Sequence, residues 1–525
     1  MANQNNANDP QLVILGGVFV ACAIVKTHPK WIGPLFWLIL FCFLGGLLLF
    51  LKKLHQSRQR ELKERAILGP SSDAVFCGKT DKGESVFIKT KHRIMHTQVI
   101  GTTNAGKTES VILPWAIQDI KQGRGLLIID GKSDRSLLEK LWAYTVNFKR
   151  EKDFKLFSLS ALQSSDTFNP LIGGTAEEIV ERVFSAFIFE NPFYRSLQYE
   201  VLSQSLRIFA GAKEIPTFAR LHHAISSEGE LTELAKKSSN PSLVNWAEKF
   251  SILPLKEREQ RTSGLLTQIS PFAFGNASPL FNAVEPEITI ERALKDGNIV
   301  YFQLPVLLSP FLGSATGKLV LQSLQAAIAN RHRHTNSSRP FFSVFLDDFS
   351  EYLYPGFVSV LNKSRSANVG VVFAHQALGD IESLGGPIAN AILTNSNLKI
   401  FMRGNDPNSA EHFSKIIGTT STVRMTERKR LGWIRDTNTG DVSAREVEEF
   451  VIHPNYFKRD LGVGQAVMVV PHEGGSKTVR IQFDKYPDLP GVQLRVPTRT
   501  ISTEQAKSPT RNELDEFFST TQKEP

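Results

Sequence analysis

The chain has 525 residues, 41% of them apolar, with a formal net charge of +9 and an isoelectric point near 9.3. This length is too great for one compact domain and predicts two to four domains. The three cysteines show no C-x-x-C or Cys/His spacing, which excludes a disulfide framework and gives no zinc motif. The basic charge favours nucleic acid or anionic lipid as a partner, although the excess is modest for this length.

Two apolar runs without a charged residue open the chain, at residues 12–25 and 31–51. The second is long enough for a bilayer core, which needs roughly 20 residues, and the first reaches about 21 Å before its flanking residues are added. A cleaved signal peptide is the competing interpretation, but residues 1–10 lack the basic residues that such a peptide needs. Six Lys and Arg residues at 52–65 outweigh two at 26–30, so we predict a two-helix hairpin with the rest of the chain in the cytoplasm.

A phosphate-binding motif of the form G-x-x-x-x-G-K-[ST] follows a short apolar segment at residues 97–100. Its members are Gly101, Thr102, Thr103, Asn104, Ala105, Gly106, Lys107 and Thr108. Residues 109–120 have the apolar spacing of a helix, so the motif has the strand–loop–helix context that it requires. We expect backbone N–H groups of this P-loop to surround the phosphates of ATP, Lys107 to reach the β- and γ-phosphates, and Thr108 to hold Mg²⁺.

Two acidic residues end the apolar run at residues 341–346, as expected for a buried parallel strand that neighbours the P-loop strand. We expect Asp347 to hold the hydrated Mg²⁺ and Asp348 to polarise the attacking water. Many P-loop motors carry Glu at the second position, and Asp is one methylene shorter. The alternative for Asp348 is that it only caps the segment that follows it.

A second strand that ends in an acid, residues 125–130, offers Asp130 as a rival metal carboxylate. It comes one helix after the P-loop, which predicts that it is the next strand of the wound sheet and that Asp130 lies near the ligand crevice. In that position Asp130 contributes to the nucleotide site without binding the metal directly, or it only holds Lys132 in place.

A further apolar run, residues 369–374, leads into His375 and Gln376. Gln376 is a candidate for sensing the γ-phosphate or orienting water, and the alternative is an ordinary amide that caps the strand. The remaining strand-like runs are at residues 298–304, 398–403 and 465–470. Strands that alternate with helices predict a mainly parallel α/β sheet.

Between the two halves of this sheet, residues 171–285 show helical spacing without strand signals and predict an all-α insertion. Its predicted helices are at residues 176–189, 195–210, 217–225, 242–251 and 263–272. The predicted layout is a transmembrane hairpin at 1–56, a nucleotide-binding domain at 57–170 and 286–490, the insertion at 171–285 and a flexible tail at 491–525. A basic stretch that includes Trp433, residues 424–435, either stacks on nucleic-acid bases or forms a solvated loop.

Taken together, these segments resemble the type IV coupling proteins, the TraD/TraG/TrwB-like ATPases of conjugation and type IV secretion. The resemblance extends over residues 12–489. Residues 130–134, Asp-Gly-Lys-Ser-Asp, are similar to the family's Asp-Pro-Lys-Gly-Glu element, and residues 345–349, Phe-Leu-Asp-Asp-Phe, are similar to its Leu-Asp-Glu-Phe element. Further stretches similar to family motifs are at residues 393–403, 446–454 and 461–466.

The resemblance implies a RecA-like P-loop NTPase fold with the inserted all-α domain and the membrane anchor. It implies a hexameric ATPase of the bacterial inner membrane that uses ATP and Mg²⁺ to pump DNA, with a relaxase or another secreted protein, towards components of a type IV secretion channel. It also gives Arg365, within residues 361–368, the role of an arginine finger that reaches the neighbouring subunit's γ-phosphate. The departures at Asp134 and Asp348 bear on the rate of hydrolysis more than on the type of reaction.

Other functions stay open at this point. An enzyme of the same class could deliver protein effectors only, or move a chromosome. A membrane receptor could instead use ATP binding to assemble and recruit substrate without acting as a motor. Salt-sensitive DNA binding by the soluble part argues against delivery of protein effectors only, and the behaviour of Asp348→Asn separates a receptor from a motor.

Overall fold

The structure is a computed structural model that describes residue 41 and residues 43–55, 69–189, 191–333, 339–430, 437–472 and 475–494, with the backbone alone at 425–430 and 437–444. It divides into two units, Met1–Gly69 and Pro70–Pro525. In the first unit, residues 43–55 are helical. Within the described ranges, no helix has both the length and the apolar character needed to cross a bilayer. The predicted span at 12–25 and most of the span at 31–51 lie outside these ranges, so the two-helix anchor stays a prediction.

The second unit is built on a large sheet and one separate hairpin. The sheet strands are β1 (Ala74–Thr80), β2 (Ser85–Lys89), β3 (Thr97–Ile100), β4 (Gly125–Asp130), β5 (Phe154–Ser158), β6 (Ile299–Gln303), β7 (Phe342–Asp347), β8 (Val369–His375), β9 (Leu398–Met402), β12 (Gln465–His472) and β13 (Gly475–Phe483). The hairpin consists of β10 (Thr419–Arg430) and β11 (Thr437–Phe450). The sheet order is β2-β1-β13-β12-β9-β3-β8-β7-β4-β6-β5.

Helices follow most of the parallel strands and form a cluster between β5 and β6. In chain order they are α1 (Thr90–Arg93), α2 (Leu113–Lys121), α3 (Arg135–Asn147), α4 (Ala176–Ala186), α5 (Pro192–Gly211), α6 (Phe218–Ser226), α7 (Glu230–Lys237), α8 (Pro241–Ser251), α9 (Leu255–Phe274), α10 (Ser278–Phe281), α11 (Ile290–Asp296), α12 (Pro310–Arg333), α13 (Phe357–Ser364), α14 (Leu378–Glu382), α15 (Gly386–Asn395) and α16 (Pro407–Ile417).

The strands from β9 to β5 in the sheet order are all parallel, and β12, β13, β1 and β2 extend the β9 edge in antiparallel fashion. The prediction of a mainly parallel α/β fold is confirmed. Because these strands are parallel, their carboxyl ends meet at one edge of the sheet, where a ligand crevice is expected.

Two expectations about neighbouring strands were wrong. The strand that ends in Asp347, β7, does not neighbour β3, the strand before the P-loop, because β8 pairs with both of them. The strand that ends in Asp130, β4, is not next to β3 either, since β8 and β7 lie between them. Sequence order does not predict this arrangement, because β8 comes late in the chain and is inserted between strands that were formed from earlier segments.

Several strands carry too many polar residues to be recognised by apolar pattern. These are the outer strands β1, β2, β5 and β13 and both strands of the hairpin. The basic stretch at 424–435 was weighed as a loop, but the backbone of its residues 424–430 belongs to β10. Trp433 lies outside the described residues, and its proposed stacking stays a prediction.

The helices α4 to α10 and the sheet share one hydrophobic core. Phe157 on β5 packs against Phe281 and Phe302, with ring centroids 5.2 Å apart in each case, and Phe281 packs against Phe272 on α9 at 4.9 Å. Among the described residues, the segment between β5 and β6 contains helices and turns together with one isolated bridge between Phe168 and Ile288. The limits of the insertion at 171 and 285 stay a prediction.

A buried ion pair fixes the helix that follows the P-loop. Both oxygens of Asp119 on α2 accept hydrogen bonds from the guanidinium of Arg93, at 2.7 and 2.6 Å, and both side chains are almost completely buried. Ser343 on β7 donates to the same carboxylate at 2.6 Å, and Arg124 donates at 3.1 Å. This network joins α1, α2 and β7, so it holds the P-loop helix against the strand that ends in Asp347.

We expect Asp119→Ala to lower the free energy of unfolding by about 3–5 kcal/mol, because it leaves Arg93 buried without a counter-charge. Urea denaturation followed by circular dichroism measures this loss. Arg207→Ala is the matched control, since its ion pair with Glu177 is about half exposed and its removal is expected to cost about 1 kcal/mol or less. An equal loss in the two variants would contradict a stabilising role for the Asp119 network.

Candidate nucleotide-binding site

The P-loop leaves the carboxyl end of β3 and packs tightly against the end of β9. The backbone N–H and the hydroxyl of Thr102 donate to the carbonyl of Arg403, at 2.9 and 3.2 Å. A Cβ at Gly101 would lie 2.9 Å from Met402, so only glycine fits there. Gly106 has φ +96°, a conformation that side chains rarely adopt. Both motif glycines are therefore required by the backbone that surrounds the phosphate position.

Lys107 is already held within the loop. Its ammonium donates to the carbonyls of Gly101 and Thr102, at 2.7 and 3.3 Å. Burial lowers the pKa of Lys107, and the nearby Asp347 acts in the opposite direction. The chain then enters a π-helical turn at Thr108–Ile112 that runs directly into α2. The first backbone N–H groups of this helix have no intrahelical acceptor, which is the arrangement that binds anions at helix starts.

Thr108 and Asp347 meet across the end of β8. The hydroxyl of Thr108 donates to Oδ2 of Asp347 at 2.6 Å. Asp347 is buried, and burial raises its pKa, while the hydrogen bond from Thr108 opposes that shift. A hydroxyl and a carboxylate oxygen are hard donors of the kind that Mg²⁺ prefers, so the pair fits this cation. Within the described residues, no cluster of three or more His, Cys, Asp or Glu side chains could hold a metal.

Asp348 is held in a left-handed conformation beside a lysine. Its φ of +46° is one that Asp tolerates better than most residues do. Its carboxylate is buried and lies 3.0 Å from the ammonium of Lys132. Lys132 was considered in the sequence only as a residue that Asp130 might hold. The signal that could have identified it is its central place in the Asp-Gly-Lys-Ser-Asp element.

Asp130 organises the loop that carries Lys132. Its carboxylate accepts backbone N–H bonds from Lys132 and Ser133 at 3.0 Å and from Asp134 at 2.6 Å, together with the hydroxyl of Tyr301 at 2.8 Å. Burial raises the pKa of Asp130 to about 6. Asp130 lies opposite Asp347 in the register of β4 and β7. The hydrogen bonds to the Asp130 carboxylate come from its own loop and from Tyr301. This favours the interpretation that Asp130 positions Lys132.

Gln376 follows β8 and reaches the P-loop, where its Oε1 accepts a hydrogen bond from the hydroxyl of Thr103 at 3.3 Å. Both side chains are exposed in this arrangement. The structure therefore brings Gln376 together with the P-loop, Thr108 and Asp347. This is the position from which an amide could contact a γ-phosphate or a water molecule.

Arg365 lies away from this group. It is exposed in a short 3₁₀ turn, Arg365–Ala367, that precedes β8, so it stands at the amino edge of the sheet. Seven residues of β8 separate the two edges, which corresponds to about 23 Å at the usual rise of a strand. Arg365 cannot complete the P-loop of its own chain in this conformation, and a finger role requires a second copy.

Two contacts at the site come from residues that the motifs did not identify. The backbone N–H of Gly464, just before β12, donates to the carbonyl of Ala105 in the P-loop at 3.0 Å. Lys140 on α3 pairs with Glu109, the residue after Thr108, at 3.0 Å. The first contact lies in the stretch 461–466, which the sequence indicates only through its similarity to a family motif.

Comparison with known proteins points in one direction. A family model described as the TraM recognition site of TraD and TraG matches residues 342–459. The type 4 coupling protein DotL of Legionella pneumophila is 23% identical over 418 residues, which are 67% of this chain and 52% of DotL. The chain thus spans about half the length of this curated relative.

Solved structures agree on the fold. The unbound conjugative coupling protein TrwBdeltaN70 has a TM-score of 0.59 at 14% identity and covers 81% of this chain and 91% of its own. TrwB in complex with ADP and Mg²⁺ has a TM-score of 0.57 at 14% identity, with coverages of 81% and 92%. VirB4 of Thermoanaerobacter pseudethanolicus has a TM-score of 0.51 at 13% identity, with coverages of 80% and 98%. The family motifs in the sequence, the matched family model and the coupling-protein relative agree with this shared fold, and all of them make the chain similar to the type IV coupling proteins.

Proposed function

We propose that this chain binds ATP with Mg²⁺ at the P-loop and hydrolyses it. The observation that carries the proposal is the 2.6 Å contact between Thr108 and Asp347, because it places a hydroxyl and a carboxylate where they can share one divalent cation. TrwB, which has the same fold, has been solved with ADP and Mg²⁺, and this supports the choice of ligands.

The residues of the chain divide the work between binding and positioning. P-loop N–H groups bind the phosphates, and Lys107 exchanges its two carbonyl acceptors for phosphate oxygens. Thr108 and Asp347 would hold Mg²⁺, which would neutralise phosphate charge when bound. Gln376, in reach of Thr103, orients the attacking water or contacts the γ-phosphate.

Asp348 is the proposed base, and its ion pair with Lys132 bears on how it works. While Lys132 remains 3.0 Å from the carboxylate, its ammonium occupies a carboxylate oxygen and competes with a water molecule for it. Bound phosphates offer Lys132 a stronger partner. We therefore propose that Lys132 shifts towards the nucleotide and frees Asp348 to polarise water. The same ion pair favours a second candidate function, a receptor in which the site binds ATP but is held idle.

We propose that ATP turnover drives transfer of DNA or nucleoprotein to a type IV secretion channel from the bacterial inner membrane, with the chain anchored by its N-terminal hairpin. Similarity to the coupling proteins supports the general role, and the match to a TraM recognition site supports a protein partner for residues 342–459. Delivery of protein effectors only is the alternative cargo. We propose that the chain acts as a homo-hexamer. Arg365 stands about 23 Å from the P-loop edge of its own sheet, so its proposed role requires the site of a neighbouring subunit.

Nucleotide binding is expected to stabilise the wild-type protein by about 2.7 kcal/mol at 100 times the dissociation constant. Lys107→Ala is expected to lose most of this gain, because the variant lacks the cation that contacts the phosphates. Thermal melting with and without Mg²⁺–ADP measures the difference. Lys415→Ala, which removes an exposed lysine paired with Glu411, is the control and should keep the full shift. A full shift in Lys107→Ala would place the nucleotide elsewhere.

ATP turnover by the full-length protein in lipid is expected to rise when DNA is added and to vanish in Lys107→Ala. Asp348→Asn should bind ATP normally and hydrolyse it about 100-fold more slowly, the usual loss for a missing general base. Turnover that requires Lys107 but ignores DNA would favour a carrier of protein effectors. If Asp348→Asn fails to hydrolyse ATP and still supports transfer in cells, the motor function is wrong and the receptor function is right.

Arg365→Ala and Asp348→Asn are each expected to be nearly inactive, whereas a mixture of the two should regain part of the wild-type turnover. In mixed rings, the intact site of one variant receives Arg365 from the other. Turnover measured against the mixing ratio tests this. Arg339→Ala is the matched control, since it removes a neighbouring arginine that donates to the carbonyl of Ser366. No recovery on mixing would exclude an arginine supplied by a neighbour.

A further inference from the structure

A chain of buried polar side chains crosses three adjacent strands directly beneath the P-loop. Lys399 on β9 donates to Oε1 of Gln98 on β3 at 3.1 Å, and Nε2 of Gln98 lies 2.9 Å from Nε2 of His375 on β8. The register places Gln98 opposite both Lys399 and Phe373, and His375 is two residues beyond Phe373, so the three polar side chains share one face of the sheet. We call Lys399, Gln98 and His375 the strand relay.

The direction of each hydrogen bond in the strand relay follows from the lysine. A charged lysine can only donate, so the amide of Gln98 must present its oxygen to Lys399 and its N–H to His375. His375 must then accept at Nε2 and carry its proton at Nδ1, which lies 2.8 Å from the carbonyl of Ala377. Burial lowers the pKa of His375 to about 4 and that of Lys399 to about 8, so at pH 7 the first is neutral and the second is charged.

The strand relay ends at the turn that carries Gln376. His375 donates to the carbonyl of Ala377, and the carboxylate of Asp380 accepts the backbone N–H groups of Gln376 and Ala377 at 2.8 and 3.1 Å. The backbone of Gln376 is thus clamped on both sides, while its side chain remains exposed and contacts Thr103 of the P-loop. The exposed side chain of Gln376 is therefore the member of this group that contacts the P-loop.

The other end of the strand relay is the last turn of α15. The ammonium of Lys399 donates to the carbonyl of Leu393 at 2.8 Å and lies 3.4 Å from the hydroxyl of Ser396. All three of its donors are used, although the hydrogen bonds recorded for it go to neutral acceptors and not to a carboxylate. An ammonium buried in this way is costly, and an apolar side chain of the same length would be cheaper at this position. The charge of Lys399 has a role that offsets this cost if it fixes the orientation of Gln98 and, through Gln98, of His375.

We propose that Lys399, Gln98 and His375 are positioning residues that orient Gln376 against the P-loop during ATP hydrolysis. This inference rests on the proposed ATPase function and goes beyond it, because none of the three side chains touches the nucleotide. Loss of the lysine charge lets the Gln98 amide turn over, which presents its oxygen to the unprotonated Nε2 of His375. The ring must then move its proton from Nδ1 to Nε2 to keep a hydrogen bond with Gln98. The turn at Ala377 then loses its fixed partner, and Gln376 loses its alignment.

The test uses full-length protein in lipid, with kcat and KM for ATP measured separately. Lys399→Met, which keeps the length of the side chain and removes the charge, is expected to lower kcat about tenfold and to leave KM within about twofold, since misplacement of a catalytic group acts on the transition state. In a Gln376→Ala background, the same substitution is expected to have no further effect. Additive losses in the double variant, or an unchanged kcat in Lys399→Met, would overturn the proposal.

A pair of substitutions at His375 separates the two bonds of the ring. His375→Asn keeps an N–H near the position of Nδ1 and loses the acceptor for Gln98, so it should keep most of the wild-type kcat and make Lys399→Met silent. His375→Gln keeps a partner for Gln98 and loses the bond to Ala377, so it should lower kcat to the level of Lys399→Met. Equal kcat values for wild type and both variants would contradict the strand relay.

Hydrogen–deuterium exchange of residues 375–382 tests the strand relay without relying on turnover. The amides of Gln376 and Ala377 are expected to exchange about tenfold faster in Lys399→Met than in wild type, because the clamped turn opens more often. Lys236→Met, which removes an exposed lysine paired with Glu233, is the control and should exchange like wild type. If wild type shows no turnover that depends on Lys107, the proposed ATPase is wrong, and the exchange rates alone decide the strand relay: unchanged rates overturn it and faster rates support it.

Discussion

The contact between Thr108 and Asp347 is the constraint on which the site depends. The two residues are 239 positions apart, and their side chains come within 2.6 Å because β3 and β7 flank β8 and the carboxyl ends of all three strands lie at one edge. The buried pair of Arg93 and Asp119 also holds Thr108 near Asp347, because it joins α2, the helix after the P-loop, to β7 through Ser343. Sheet order and core electrostatics therefore fix the position of one hydroxyl relative to one carboxylate.

The parts of this arrangement that depend on short segments could be predicted from sequence. β3 and β4 were predicted at their observed bounds, and the P-loop with its following helix was placed correctly, because motif and apolar period are local signals. The spatial order of the strands could not be predicted, since pairing of β8 with both β3 and β7 is a long-range choice. The outer strands escaped notice because half-exposed antiparallel strands such as β13 alternate polar and apolar residues over short lengths.

Lys132 shows how a functional contact can be hidden in a recognised motif. The sequence drew attention to the two acids of the Asp-Gly-Lys-Ser-Asp element, yet the structure shows the carboxylate of Asp130 occupied by backbone N–H groups and the lysine paired with Asp348. An Asp in the left-handed region has a short side chain and a fixed direction, so its reach is limited. A lysine on a flexible stem can leave it, whereas the carboxylate cannot follow. We therefore propose Lys132 as the partner of this ion pair that moves when nucleotide binds.

The two edges of the sheet are joined by one continuous layer of contacts. Gln376 stands at the P-loop edge, and the strand relay leads from it to the last turn of α15. α15 packs against α13 in the same hydrophobic core, and α13 ends at the turn that carries Arg365. A change in the turn at Gln376 is therefore connected, through buried groups that have few alternative partners, to the segment that carries an exposed arginine at the opposite edge. In the proposed ring of identical subunits, where Arg365 serves the next P-loop, these contacts would connect the turn at Gln376 in one subunit with the arginine that it offers to its neighbour.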